Sequence, residues 1–518
     1  MRSHIMLGAW LPVAVLAACT HGSSPLDPGP DAGFGWFIPE SAFGEFIPTG
    51  SLTIPPIHSD SPPPELGCEC EPMQCHRPAC DGEMCDPVAL DDDSPCLDGG
   101  ICVGGECLQI ESCETEMAGA PFVVASSAFV EANGAGPSTG AAADQNSRVL
   151  VIWTAVEGLE IVLYGRRFLA DGTPVDCSDA PIEIVRVAAL GWDLEPAVAG
   201  LASGWVVTWT APNGDGDLGG IAVQHVTVGG RLLTPARQAN RQPYFHQHGP
   251  AIASFDEGYV IAWTDDSGLD LDDENIGVRA RRFDSEGAAL DEEDILVPAR
   301  RTGDQLDATV AVSGETWLVA WTDAPWDLDE LPSLRARRYL GSAAIDLDDD
   351  LELAAGFAAG AAATRLGGGS FMVAWESRAE DGRGDVIARN VPVGEGMLVG
   401  PNSVAVDPSL AELRPAIAPV GDGIAVTVEV GQSEDDRRRD VSLTALDATL
   451  PMEADELAEL LGGESLQRGA SMLTNDDALW VVWSDDATQW GDMMDPVEGD
   501  PAAYRSVLLY RLQLGGGP

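Results

Sequence analysis

A tryptophan near the end of an apolar segment returns at an almost constant interval along this chain. It is Trp153 in VLVIWT, Trp209 in WVVTWT, Trp263 in YVIAWT, Trp321 in WLVAWT, Trp375 in FMVAWE and Trp483 in WVVWSD, with Val428 of IAVTVE at the sixth place. Successive separations are 56, 54, 58, 54, 53 and 55 residues. Enrichment in tryptophan alone does not produce such regularity, so the chain contains seven repeats of one structural unit.

Each repeat keeps one order of elements. A segment of small apolar residues comes first, as in Pro196-Ala197-Val198-Ala199, Pro250-Ala251-Ile252-Ala253 or Pro415-Ala416-Ile417-Ala418. The tryptophan segment follows with the period of two that marks a strand. An acidic loop leads to a third segment, such as VRARRF ending at Phe283 or LRARRY ending at Tyr339, and a turn then leads to a fourth, such as Ile295-Leu296-Val297. No helical period separates these short segments. Four strands in about 55 residues therefore predict an all-β fold, a seven-bladed β-propeller of four-stranded blades over residues 120–513. Small residues suit the crowded centre of a ring, and the indole wedges between neighbouring sheets.

The two ends of the ring predict how it closes. The seventh repeat finishes on a third strand, Ser506-Val507-Leu508-Leu509-Tyr510-Arg511-Leu512, with no length left for a fourth. Pro121-Phe122-Val123-Val124-Ala125 stands before the first inner strand, where a fourth strand belongs. It is expected to complete the seventh sheet and leave few free edges.

Ahead of the ring, residues 68–119 carry nine cysteines: Cys68, Cys70, Cys75, Cys80, Cys85, Cys96, Cys102, Cys107 and Cys113. Such density with little apolar content predicts a small disulfide-stapled module, and Cys177 supplies the even number. One bridge is then expected to join the module to the domain that holds Cys177. Residues 19–67 are rich in Pro, Gly, Ser and Asp and read as a disordered tether. Residues 1–18 combine Arg2, a short apolar run and the small residues Ala17 and Ala18, the pattern of an export signal.

The stretch Leu16-Ala17-Ala18-Cys19 resembles a bacterial lipobox, which implies lipid attachment at Cys19, and Thr20 resembles the pattern of lipoproteins sorted to the outer membrane. With its Cys-rich lead and G-x-x-V-x-W repeats, the chain resembles myxobacterial-type surface lipoproteins that carry propellers. That resemblance implies fold and a lipid-anchored place on the outer membrane or cell surface, and it carries no catalytic residues. The Ser-x-Asp-x-Gly-x-x-Trp box of sialidase-like propellers is absent.

Charge narrows the partners. Asp and Glu number 84 against 28 basic residues, all of them Arg, for a net charge of -56. Nucleic acid phosphates are repelled, so nucleic acid is excluded as a partner. Membrane attachment through the lipid, and a protein or glycan ligand, remain.

Candidate chemistry is sparse. Asn213, Asp215 and Asp217 alternate with glycines like the first half of a calcium loop, and Asp270, Asp272, Asp273 and Glu274 form a second acidic loop. His246 and His248 form an H-x-H pair just before the third inner strand, on one side of an extended chain. Arg166-Arg167, Arg281-Arg282 and Arg337-Arg338 recur at one blade position, and pairing with the abundant acids is expected, one member facing the neighbouring sheet and the other solvent. No GxSxG, HExxH or phosphate-binding loop occurs. On this reading the protein is a non-catalytic, lipid-anchored binding or scaffold protein, more a binder than an enzyme. The competing reading is an extracellular glycan-active hydrolase or lyase with carboxylates at the propeller channel. Convergent carboxylates and aromatics at the channel would favour the enzyme.

Overall fold

The computed structural model of the chain describes residues 138–514 apart from internal segments, the longest being 451–466 and 486–505. It also describes 121–125 and short stretches between 75 and 108. The inner strands are Thr139–Ala143, Ala197–Leu201, Gln247–Phe255, Asp304–Ser313, Ala358–Arg365, Ala411–Val420 and Gln467–Asn475. Each packs on the next and the last returns to the first, so the ring is closed. Outward from each inner strand, the sheets run in chain order through the tryptophan strand and the third strand to a short outer one, three strands of the sixth blade being described. The predicted seven-bladed propeller is the observed fold.

Closure follows the expected route. Phe122–Ala125 pairs antiparallel with Ser506–Gln513 as the outer strand of the seventh sheet, Leu508 opposite Val123 and Leu509 opposite Phe122. A sheet that borrows a strand from the far end of the chain ties both ends into one structure.

Apolar burial is concentrated between sheets. Trp153 shares a cluster with Leu473, Trp480 and Val482 of the seventh blade, and Trp209 one with Leu150 and Ile152 of the first. Trp321 is clustered with Val260 and Ala262 of the third blade, and Trp483 with Ala418 and Val441 of the sixth. Each indole thus faces the preceding blade. Val428 does the same against Met372 and Ala374 of the fifth with a smaller side chain.

The arginine pairs stitch blades together. Their first members reach the preceding blade: Arg166 donates to the Val124 carbonyl at 2.9 Å, Arg281 to Ala239 at 3.1 Å and Arg337 to Val297 at 3.0 Å. Second members turn the other way, Arg167 donating to the Val228 carbonyl and Arg338 to Pro392 at 2.7 Å. Arg511, at the same place in the seventh blade, donates to Ala170 of the first at 3.2 Å. Acid pairing is as expected, with Arg282–Asp291 and Arg338–Asp346 both at 2.6 Å. The expectation that one member faces solvent is corrected, because a blade has neighbours on both faces and alternate residues both meet protein.

In the lead module, Cys75 and Cys102 form a disulfide with Cα atoms 5.1 Å apart. Two small hairpins set Cys80 opposite Cys85 and Cys102 opposite Cys107 in their backbone register. Cys68, Cys70, Cys96, Cys113 and Cys177 lie outside the described residues, as do the signal, Cys19 and the tether.

Candidate functional site

At the start of the inner strands of blades two to seven the backbone enters the left-handed region once per blade. The residues are Glu195 (φ 43°), Gly249 (60°), Asp307 (54°), Gly360 (57°), Arg414 (48°) and Gly469 (61°). In blades three to seven the ladder slips register at this point, as a bulge requires. Glycine takes such a φ freely, whereas another residue costs about 1–2 kcal/mol. The three exceptions are all charged. They lie on the face that carries the loops between second and third strands.

The third blade adds two imidazoles there. His246 and His248 stack with ring centroids 4.7 Å apart and planes 17° from parallel. Asp266, directly after the tryptophan strand, reaches both: its Oδ2 is 3.8 Å from His246 Nδ1 and its Oδ1 is 3.4 Å from His248 Nε2. Glu195 of the second blade stands 4.0 Å from His248 Nδ1. Its Oε2 also accepts from the Gly249 amide at 2.8 Å and the Thr210 hydroxyl at 3.0 Å. The site therefore spans two blades.

Backbone pairing holds the cluster in place. The Asp266 amide donates to the His246 carbonyl at 2.9 Å, and His246 also bridges to Gly219 of the second blade. A Cβ on Gly219 would lie 2.5 Å from His246 Cδ2, so only glycine admits the ring.

Electrostatics separate the titrating groups. Burial pushes Asp266 up, but its two imidazole neighbours outweigh this and hold it at about 2. Burial pulls His248 down, yet the carboxylates of Asp266, Glu195 and Asp307 together raise it above the usual histidine value. Asp307 of the fourth blade is raised by burial, with the His248 charge acting against the rise. A lowered carboxylate and a raised one thus share a histidine.

These shifts predict a pH window. The ionised Asp266 stabilises the fold fully above its unfolded value of 3.8, and this is lost as pH falls through about 2. Protonated His248 stabilises it fully below 6.5, and this is lost as pH rises through its higher folded value. The melting-temperature difference between wild type and His248→Gln should therefore peak between about pH 4 and 6.5 and shrink in alkali. A difference that stays flat with pH would show that no such pair exists.

The ligating atoms of His246, His248 and Asp266 all lie within 4.8 Å of one another, so the three can hold a metal ion. Two imidazoles and one carboxylate suit a transition ion; calcium asks for six to eight oxygens. Asn213, Asp215 and Asp217, expected to begin a calcium loop, and the acids 270–274 lie outside the described residues.

The expectation of a non-catalytic scaffold, more binder than enzyme, is corrected by this cluster. It rested on the anchor, the tether and repeats without a catalytic signature, and the fold assembles a chemistry-bearing cluster from three successive blades. The H-x-H pair was visible beforehand; Asp266, Glu195 and Asp307 were missed among 84 acidic residues. For Glu195 and Asp307 the signal was a charged residue at a repeat position where other blades have glycine, as in Glu195-Pro196 against Gly249-Pro250; Asp266 carried no such mark.

No family model and no curated protein matches the chain. The chain is similar, at low identity, to several solved structures. An α-L-arabinofuranosidase of Fusarium graminearum is 11% identical over 76% of this chain and 98% of its own, with a TM-score of 0.39. A polysaccharide lyase described as an ulvan lyase is 10% identical over 77% and 96%, TM-score 0.47. The β-propeller domain of a protease from Pyrococcus furiosus is 9% identical over 74% and 99%, TM-score 0.40. This likeness is one of fold.

Proposed function

We propose that the protein is an exported enzyme that cleaves a glycan, by hydrolysis or elimination, with Asp266, His248 and Asp307 as its acid–base centre. The observation that carries this reading is the convergence at one end of the ring of two stacked imidazoles with Asp266, 3.4 Å from His248, and with Glu195 of the neighbouring blade, a setting that lowers one carboxylate and raises another around one histidine. Groups driven apart in this way serve as base and acid in a single reaction. In hydrolysis, Asp307 donates a proton to the departing glycosidic oxygen while ionised Asp266 faces the anomeric carbon or its attacking water. In elimination, the cluster's base takes the proton beside a uronate carboxyl, the double bond forms as the bond to the glycosidic oxygen on the next carbon breaks, and Asp307 protonates the departing oxygen.

Incubation with a panel of polysaccharides tests this, scored both for new reducing ends and for the ultraviolet absorbance of unsaturated products. Asp266→Asn is expected to lower turnover by about a hundredfold or more while the fold is retained. Cleavage that survives the substitution, or no cleavage of any polysaccharide, would remove this reading.

The proposal extends to placement. Residues 1–18 direct export, Cys19 carries the lipid, residues 19–67 are the tether and 68–119 the disulfide module, on the outer membrane or surface of a bacterium of myxobacterial type. Palmitate labelling of the expressed protein is expected for wild type and lost in Cys19→Ser.

A further inference from the structure

Among the described residues, the exposed large hydrophobic side chains include three aromatic rings, and all three stand on the face that bears the His–Asp cluster. They are Tyr244 at 55% exposure, Phe245 at 56% and Trp326 at 55%. Tyr244 and Phe245 directly precede His246 in the approach to the third inner strand. Trp326 follows the tryptophan strand of the fourth blade, Thr316–Ala324, and its Nε1 lies 3.3 Å from Asp304 Oδ1, three residues before Asp307. The rings thus flank the site on two adjacent blades.

Phe245 is held there against its backbone preference. Its φ is 61°, a genuine outlier for a bulky residue. In the fourth blade Gln305 takes the place of Gln247, and the corresponding left-handed residue is Gly303. The turn is rigid as well as strained. Gln247 Nε2 donates to the Tyr244 carbonyl at 2.6 Å and to buried Asp265 at 3.2 Å, while its Oε1 accepts from Asn240 at 3.0 Å. A strained turn that leaves two rings about half exposed, where glycine would serve the backbone better, is the kind of outlier that marks a binding surface.

We infer that Tyr244, Phe245 and Trp326 form a stacking platform for the uncharged sugar rings of an extended polysaccharide on either side of the cleavage point. The flat faces of a sugar are apolar C–H surfaces that an aromatic ring covers well, and the hydroxyl edges stay in water. A net charge of -56 and the carboxylates Glu195, Asp266 and Asp304 on the same face repel polyanions, which leaves a neutral chain as the fitting occupant. This inference rests on the glycan-cleaving reading and narrows its substrate class, favouring hydrolysis over elimination.

Native gel electrophoresis of the full chain tests it, in gels that each contain one soluble polysaccharide, neutral (xylan, arabinan, galactomannan) or anionic (polygalacturonate, alginate). Wild type is expected to be retarded in at least one neutral gel and in no anionic one. Phe245→Gly, which relieves the backbone, and Trp326→Ala are each expected to weaken retardation about tenfold with no fall in melting temperature. Absence of retardation in every neutral gel, retardation by polyanions, or full retardation of both variants would overturn the platform. Cleavage of a polyanion that depends on Asp266 would leave the catalytic reading standing and sink this one. Aromatic-dependent retardation without cleavage would do the reverse.

Discussion

Val124→Asp is expected to lower the free energy of unfolding by about 3–5 kcal/mol, although Val124 belongs to a strand of only four residues. Its side chain is fully buried in a cluster with Val149, Trp153, Trp480 and Leu509, drawn from the first and seventh blades. Its carbonyl accepts from Arg166 of the first blade. A carboxyl there meets no partner and must be neutralised or expelled, and either outcome loosens the one seam where the two ends of the ring meet. The denaturant midpoint should fall, and acrylamide should quench Trp153 and Trp480 once the seam opens. Val399→Asp, on the outer strand of the fifth blade at 62% exposure, should change stability by no more than about 0.5 kcal/mol. Equal effects at the two positions would mean that the borrowed strand does not hold the ring shut.

Trp321→Ala should destabilise by a similar amount, about 3–5 kcal/mol. The indole is fully buried between the third and fourth blades with Val260, Val278, Val310 and Val319 around it. Two packed sheets cannot collapse to fill a void of that size without breaking their own ladders, so the cavity persists. Val428 holds the same repeat position at the interface of blades five and six, and Val428→Ala should cost only about 2 kcal/mol, since it deletes two methyl groups and leaves a smaller void. Equilibrium denaturation of both variants checks the ratio. Comparable losses would show that the indole is not the wedge between blades.

Much of this architecture was legible in one dimension. The interval from Trp153 to Trp483, the small residues after Pro196, Pro250 and Pro415, and the extra apolar strand at Phe122–Ala125 ahead of the first repeat are all local facts, and a repeated unit must bury its faces against copies of itself. The arginine pairs were half legible. Their acidic partners could be anticipated, but the carbonyls of Val124, Val228 and Pro392 belong to neighbouring blades and carry no sequence mark. His246 and His248 stood out because histidine is rare here, with only 7 in the chain, and because alternate residues of a strand share a side. Asp266, Glu195 and Asp307 did not stand out, being three acids among many.

The amino-acid sequence by itself determined the blade, its number and the strand that closes the ring, because each follows from periodicity and from the requirement that apolar faces be covered. Only the tertiary structure decided which charged side chains meet. Glu195, His248 and Asp307 are separated by 53 and 59 residues along the chain yet fall at the starts of three successive inner strands on one end of a closed ring. Which of the many carboxylates stand beside an imidazole, and so acquire shifted proton affinities, is set by the rotation from blade to blade and is written in no single repeat.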